Sequence, residues 1–163
     1  MRYLLNAGAD KIVVNTGALK RPELISEIAE LYGSQCVILS IDAKLTDGTY
    51  EVFSDFGSKP TERDPAEWAA EGEHRGAGEV LITSIDRDGW LQGYDLELCQ
   101  QIVSAVNTPV LVLGGAGNWK HFVAAFEMGG ASAACTQNIY HFTESSIKSA
   151  KDYLRKAGVN VRA

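Results

Sequence analysis

Short runs of β-branched and aliphatic residues alternate along this chain with longer amphipathic runs, and this alternation constrains the fold more than any other feature. The pattern is typical of a parallel sheet whose strands are joined by crossover helices. The sequence predicts strands at residues 11–15, 37–42, 80–86, 110–113 and 132–136. It predicts helices at residues 22–32, 65–75, 96–106, 119–128 and 144–157. About five βα units are therefore expected, and no shift in composition divides them, so residues 1–163 are expected to form a single domain.

Acids and glycines follow the predicted strands at the points where the strands end. Asp42 closes the second run, residues 86–89 (Asp-Arg-Asp-Gly) follow the third, and residues 114–117 (Gly-Gly-Ala-Gly) follow the fourth. The active site of a (β/α) barrel is built at the C-terminal ends of its strands, so these residues are expected to share one face. The chain has 163 residues, whereas a complete eight-fold barrel needs roughly 200 to 250. The expected fold is therefore α/β, a partial (β/α)8 TIM barrel.

Two further patterns refine this prediction. Residues 49–53 have a period of two and follow Asp47-Gly48, which predicts a small hairpin inserted after the second strand. Such a hairpin would lie over the catalytic face, as a substrate-covering loop or as an insertion without a functional role. Gly-Ala pairs at 8–9, 76–77 and 130–131 each precede a predicted strand, which indicates one repeated supersecondary unit. Residues 2–7, before the first pair, resemble the last turns of a helix.

Composition argues against several functional classes. The net charge is -6, whereas a nucleic-acid-binding protein needs a basic surface to neutralise phosphates. No apolar run approaches the roughly 18 to 20 residues of a membrane span, and nothing resembles a signal peptide. Backbone amides can still bind phosphate locally in an acidic protein. The sequence therefore predicts a cytoplasmic enzyme with no nucleic-acid or membrane partner.

The cysteines and histidines are too scattered to form a metal centre. Cys36, Cys99 and Cys135 are an odd number and lie far apart, which fits buried structural thiols better than reactive ones or a disulfide framework. The histidines are equally dispersed, at positions 74, 121 and 141. No metal and no cofactor are therefore expected.

The strand-end segments together resemble one family, the cyclase subunit of imidazole glycerol phosphate synthase, a (β/α)8 barrel of histidine biosynthesis. The similarity is carried by residues 8–11 (GADK), 14–16 (VNT), 40–44 (SIDAK), 83–89 (TSIDRDG), 93–95 (GYD), 114–117 (GGAG), 121–122 (HF), 139–142 (IYHF) and 158–162 (GVNVR). It covers essentially the whole chain. The matched portion resembles the family from the end of the third helix to the eighth, without strands one to three.

The resemblance implies a reaction and a partner. The family's cyclase cleaves a formimino-linked double ribonucleotide and closes an imidazole ring with ammonia from a glutaminase subunit, using two opposed aspartates. Asp42 matches one of them as a general acid/base, and the other belongs to the first strand, with no counterpart here. Without the resemblance, Asp42 would more simply be a helix-capping or loop carboxylate.

The resemblance also implies binding residues for a substrate with two phosphates. Gly114, Gly115 and the amides around Gln137 and Asn138 match one phosphate site. Asn15 and Thr16 match part of the other site. Thr83 and Asp88, and less directly Asp86, match positions that bind or orient substrate, although residues 86–89 would also suit a turn with local acid-arginine pairing. Trp90, after this turn, is a packing residue or covers substrate.

Some residues depart from the family pattern. Leu113 replaces a frequent serine before the glycine pair, and Thr136-Gln137-Asn138 replaces a smaller run, so a paralogue acting on another sugar phosphate is an alternative. A sugar-phosphate isomerase of a related barrel fits the glycines but not residues 84–89. On the opposite face, Asp10, Lys11 and Glu79 match a charged ammonia gate or are ordinary solvated charges.

A noncatalytic role is a further alternative. An open set of five parallel strands leaves two unpaired edges, which favours self-association or pairing with a complementary fragment. The isolated chain is therefore expected to have little or no cyclase activity.

Overall fold

The protein alternates strands and helices around one sheet. The computed structural model describes residues 3, 7–137, 139–142 and 146–162. The strands are β1 (Ile12–Val14), β2 (Val37–Thr46), β3 (Thr49–Ser54), β4 (Lys59–Pro60), β5 (Glu79–Ser84), β6 (Val110–Leu113) and β7 (Ala133–Ala134). The helices are α1 (Thr16–Lys20), α2 (Glu23–Tyr32), α3 (Pro65–His74), α4 (Leu96–Ala105), α5 (Trp119–Glu127), α6 (Ile139–Phe142) and α7 (Ile147–Lys156), with a 3₁₀ turn at Ser34–Cys36. The predicted α/β class with a parallel sheet is confirmed.

The sheet has a parallel part of five strands and an antiparallel part formed by β2, β3 and β4. Strands β1, β2, β5, β6 and β7 run parallel, in that spatial order. The first part of β2 pairs with β1, whereas its last five residues, Asp42 to Thr46, pair antiparallel with β3. Because β1 and β3 share one side of β2, the β3–β4 segment extends the sheet beyond the C-terminal end of β1. This topology places the β3–β4 segment beside the strand ends.

The core lies between the sheet and the helices. Strand β2 alternates between two faces, and its residues Val37, Leu39 and Ile41 are fully buried. Helices α2 and α3 cover this side through Ile25 and Trp68. Gly72 of α3 lies so close to Leu39 that any larger residue would collide, so the helix can approach the strand closely.

Several element boundaries differ from the predictions for local reasons. Strand β5 ends at Ser84, because Ile85 to Gly89 form a turn whose Asp88 N–H donates to the Ser84 carbonyl at 3.0 Å. Strand β7 is reduced to two alanines, a residue type with weak strand propensity. The last helix begins after Ser146, which forms a capping box with Ser149. The predicted start of that helix at residue 144 lies outside the described residues. Within the described part of the chain, no helix is both long and apolar enough to span a membrane.

Candidate active site

Asp42 lies in a cavity of about 400 Å³ at the C-terminal ends of the strands. The lining residues are Ser40, Asp42, Phe56, Gly57, Leu81, Thr83, Ile85, Asp88 and Leu113. The strand residues among them are alternate positions of β2 and β5 and the last residue of β6, as the two-residue period of a strand requires. Asp42, Thr83 and Asp88 therefore share one cavity. Ser40 was not predicted, although its spacing of two from Asp42 is a signal that places it on the same face.

The environment of Asp42 raises the pKa of its carboxyl group above the usual value. Burial is the main cause, and the negative charge of Asp88 acts in the same direction. Hydrogen bonds from Asn15 and Thr83 oppose the shift by stabilising the charged form. A carboxyl group whose pKa is moved toward neutrality is suited to exchange protons with a bound molecule.

Asn15 links the end of β1 to this carboxylate. Its Nδ2 atom donates to Asp42 Oδ2 at 3.0 Å and lies 3.4 Å from Ser40 Oγ. Its Oδ1 atom is buried and accepts no hydrogen bond from any described residue. Asn15 thus orients Asp42 and keeps one acceptor unused, which a donor on a bound molecule could satisfy.

Replacing Asn15 with alanine is expected to raise the pKa of Asp42 further. The substitution removes a hydrogen bond that favours the carboxylate, while burial and the charge of Asp88 remain. The carboxyl carbon shift of Asp42, followed by NMR against pH, measures the change. Asn107→Ala, on an exposed residue before β6, is the matched control. An unchanged Asp42 titration in Asn15→Ala would contradict this account.

A second, smaller pocket lies beside the first and is formed by the glycines that follow β6. Its volume is about 130 Å³. The lining residues are Asp88, Gly89, Leu91, Leu113, Gly114, Gly115, Ala116, Cys135, Thr136 and Gln137. Among these described residues there is an acid, Asp88, and no basic side chain, so an anion here would depend on backbone amides and polar side chains. Asp88 borders both pockets, which makes them neighbours around one side chain.

The other predicted binding residues are distributed as follows. Gln137 is exposed at the glycine pocket, and Asn138 lies outside the described residues. Thr16 is the first residue of α1, and its Oγ1 accepts a hydrogen bond from the Asp55 N–H at 2.9 Å. Thr16 therefore anchors the turn between β3 and β4 next to the Asp42 cavity. Neither Asn15 nor Thr16 lines the glycine pocket.

Comparison with known proteins places the chain in a family. The family described as histidine biosynthesis protein matches residues 1–146. The chain belongs to the histidine biosynthesis protein family. The chain is 50% identical over 164 aligned positions to the imidazole glycerol phosphate synthase subunit HisF of Bacillus subtilis (strain 168), covering 99% of the chain and 65% of the relative. It is 50% identical over 155 positions to the protein of the same name from Chlorobaculum tepidum, covering 95% of the chain and 62% of the relative.

These findings confirm the resemblance to the cyclase subunit. The chain spans less than two thirds of the length of these relatives.

The sequence analysis did not predict a network of hydrogen bonds around the buried carboxylate of Asp95. The carboxylate of Asp95 accepts hydrogen bonds from Tyr50 Oη at 2.8 Å, Ser84 Oγ at 3.1 Å and the Leu98 N–H at 3.2 Å. These bonds join β3, β5 and α4 at one point. Burial and the bond to Asp95 raise the pKa of Tyr50, so its hydroxyl stays protonated and donates. In the sequence, Asp95 lies directly before a predicted helix, and this position predicts a helix cap. It does not predict the hydrogen bonds from Tyr50 and Ser84.

The opposite end of the sheet carries an ion pair. Lys11 Nζ lies 2.6 Å from Glu79 Oε1, joining the starts of β1 and β5. Both side chains are partly exposed, so the pair contributes little to stability.

The thiols of Cys99 and Cys135 are poorly suited to nucleophilic chemistry. Burial, with a contribution from Asp95, raises the pKa of Cys99 to about 11, and burial also raises the pKa of Cys135. Among the described residues, no three or more histidine, cysteine, aspartate or glutamate side chains are grouped so that they could hold a metal ion.

Proposed function

We propose that this chain supplies five βα units, as one domain of residues 1–163, to a (β/α)8 barrel of the imidazole glycerol phosphate synthase cyclase type. The observation that carries the proposal is Asp42, a half-buried carboxyl group with a raised pKa in the strand-end cavity. The antiparallel β2–β3 pair supports the small hairpin insertion beside that cavity. The similarity to subunits named HisF supplies the reaction class.

In the proposed reaction a formimino-linked aminoimidazole carboxamide double ribonucleotide and ammonia give imidazole glycerol phosphate and aminoimidazole carboxamide ribonucleotide. Asp42 accepts and returns a proton at the carbon-nitrogen centre, a role favoured by the upward shift of its pKa. Thr83 and Asn15 hold the carboxylate in place, and Asp88 raises its proton affinity. The second carboxylate of the family's pair has no counterpart among the residues of this chain.

The two phosphates of the substrate would lie on either side of Asp42. Gly114, Gly115, Gln137 and Asn138 are the proposed residues of one phosphate site, where glycines let backbone donors approach. Asn15 and Thr16 are proposed for the other, and the unused Oδ1 atom of Asn15 supports a polar contact there. Ammonia from a glutaminase subunit would enter from the opposite face, where Lys11 pairs with Glu79.

The test is cyclase activity with and without the segment of the relatives that this chain does not cover. The purified chain alone is expected to show little or no ammonia-dependent cyclisation. Activity is expected when it is refolded with the N-terminal segment of the Bacillus subtilis relative, which supplies the remaining strands. In this reconstituted protein Asp42→Asn should lower turnover by about 10²- to 10⁴-fold, the usual contribution of a general acid/base. Asp47→Asn, at the exposed β2–β3 turn, is the matched control.

Two results would decide against the proposal. Full turnover by the reconstituted Asp42→Asn variant would show that Asp42 is not the general acid/base. Strong turnover by the chain alone, lost in Asp42→Asn, would show that the absent strands are dispensable.

A noncatalytic, self-associating module is the second candidate. Within the described residues β1 and β7 each pair with one neighbouring strand, and Val13 of β1 is 55% exposed. Open strand edges with apolar side chains favour pairing between copies. Light scattering of the chain alone should then show a dimer or larger species that dissociates when the complementary segment is added. A monodisperse monomer would contradict this second candidate.

A further inference from the structure

The tip of the β3–β4 segment holds an aromatic ring in an unusual conformation. Phe56 is 104% exposed, the greatest exposure among the large apolar side chains of the described residues. Asp55, Phe56 and Gly57 all have positive φ angles, of 51°, 61° and 74°. A bulky residue seldom adopts this region, and such conformations persist only where the surroundings enforce them. The Phe56 ring is therefore exposed to solvent, although its hydrophobicity disfavours the exposure and its backbone conformation is unfavourable for a bulky residue.

Asp55 is the residue that enforces this conformation. Its N–H donates to Thr16 Oγ1 at 2.9 Å, and its carbonyl accepts from Ser58 Oγ at 2.6 Å. Its carboxylate pairs with Lys59 at 2.8 Å and with Lys20 at 3.4 Å. Hydrogen bonds to these lysines are the main cause that lowers the pKa of Asp55, so the carboxylate stays charged. The hydrogen bond to Thr16 therefore joins the tip to α1, and the exposed lysine pairs add little to this attachment.

This tip sits at the rim of the Asp42 cavity. Phe56 and Gly57 both line that cavity, together with Asp42 and Asp88. Gly57 rests on Ile85, since a Cβ atom added there would lie 3.1 Å from Ile85 Cδ1. The backbone is therefore seated on the cavity wall, and the Phe56 ring is left beside the opening.

We propose that Phe56 is a ring-stacking subsite for the planar heterocycle of a phosphorylated ligand that enters the Asp42 cavity. This inference rests on the proposed function for the phosphate end of that ligand. A phenylalanine has no hydrogen-bonding group, so it recognises the π-face of a flat ring rather than the polar edges of one base. The glycine pocket meets the cavity at Asp88, so a nucleotide with its phosphate at Gly114 and Gly115 can extend toward Phe56.

The test compares two probes that share a sugar phosphate and differ in the ring. AMP carries a heterocycle, and ribose 5-phosphate does not. The whole chain should bind AMP roughly tenfold or more tightly than ribose 5-phosphate by calorimetry, the range expected for stacking of one base. Phe56→Leu should abolish this preference without changing the affinity for ribose 5-phosphate, and Phe56→Tyr should retain it. Tyr153→Leu, on another exposed aromatic residue that lines neither pocket, should behave as the unaltered chain.

The outcomes separate this inference from the proposed function. Equal binding of both probes by the unaltered chain would overturn the stacking subsite and leave the phosphate site standing. Phe56-dependent binding of AMP without binding of ribose 5-phosphate would support stacking and contradict the phosphate site. If the preference for AMP persists in Phe56→Leu and disappears in Trp90→Leu, the adenine ring stacks on Trp90, and the proposed role of Phe56 is wrong. Binding of neither probe would overturn both.

Discussion

Gly115→Ala is expected to destabilise the protein by about 2–5 kcal/mol and to abolish the anion binding that we propose for the glycine pocket. Gly115 has a φ angle of +98°, and a Cβ atom there would lie closer than 3.0 Å to the carbonyl oxygen of Gly93. The Gly93 N–H also donates to the Gly115 carbonyl at 2.7 Å, so the two backbones meet directly. Because the colliding atom is backbone, no side-chain rotation can relieve the collision. The loop after β6 would have to separate from the loop after β5, which opens the pocket.

Gly8→Ala separates the two causes of this effect. Gly8 has a nearly identical φ angle of +99°, and no atom of the described residues lies within 4 Å of an added Cβ. It should therefore cost only the left-handed backbone strain, about 1–2 kcal/mol. Urea denaturation followed by circular dichroism measures both variants, and phosphate titration followed by ³¹P NMR reports on the pocket. Equal destabilisation by the two substitutions would show that the contact with Gly93 does not constrain the loop.

The sequence was most informative where a local pattern determines position. Asp42 and Thr83 were predicted at the ends of consecutive strands, and they lie in one cavity because β2 and β5 are parallel neighbours in register. The two-residue period of a strand then determines which residues accompany them. The parallel sheet itself follows from the same runs of β-branched residues.

Contacts between distant elements could not be predicted in the same way. The bond from Asn15 to Asp42 joins the end of β1 to β2. The bond from Asp55 to Thr16 joins the tip of the β3–β4 segment to α1. Each depends on how the elements pack, and a polar residue in a loop carries no signal of its partner. Asp86 is a further example, because its carboxylate accepts the Leu45 N–H at 2.9 Å across the sheet rather than facing the cavity. The functional side chains at the ends of the strands are therefore easier to predict than the hydrogen bonds between elements that orient them.

Asp95→Ala is expected to destabilise the protein by about 2–5 kcal/mol, since it removes the one carboxylate that accepts from three donors, and each buried donor left without an acceptor costs about 1–3 kcal/mol. Asp95 is 7% exposed, and the hydroxyl of Ser84 beside it is also buried. After the substitution the buried Ser84 hydroxyl and the N–H of the buried Leu98 lose their acceptor, whereas Tyr50 is partly exposed. For a domain whose total stability is about 5–15 kcal/mol, such a loss brings the protein close to unfolding.

Asp64→Ala provides the matched comparison, because Asp64 is also an aspartate that caps a helix. Asp64 is exposed, and its Oδ1 accepts from the Ala66 and Glu67 N–H groups at 2.8 and 2.9 Å. Its loss should cost about 1 kcal/mol, the usual value for an N-cap. Urea denaturation of both variants, with Tyr50→Phe and Ser84→Ala, then separates capping from the link between β3, β5 and α4. If Asp95→Ala were no more destabilising than Asp64→Ala, Asp95 would act only as a helix cap and would not stabilise the link between β3, β5 and α4.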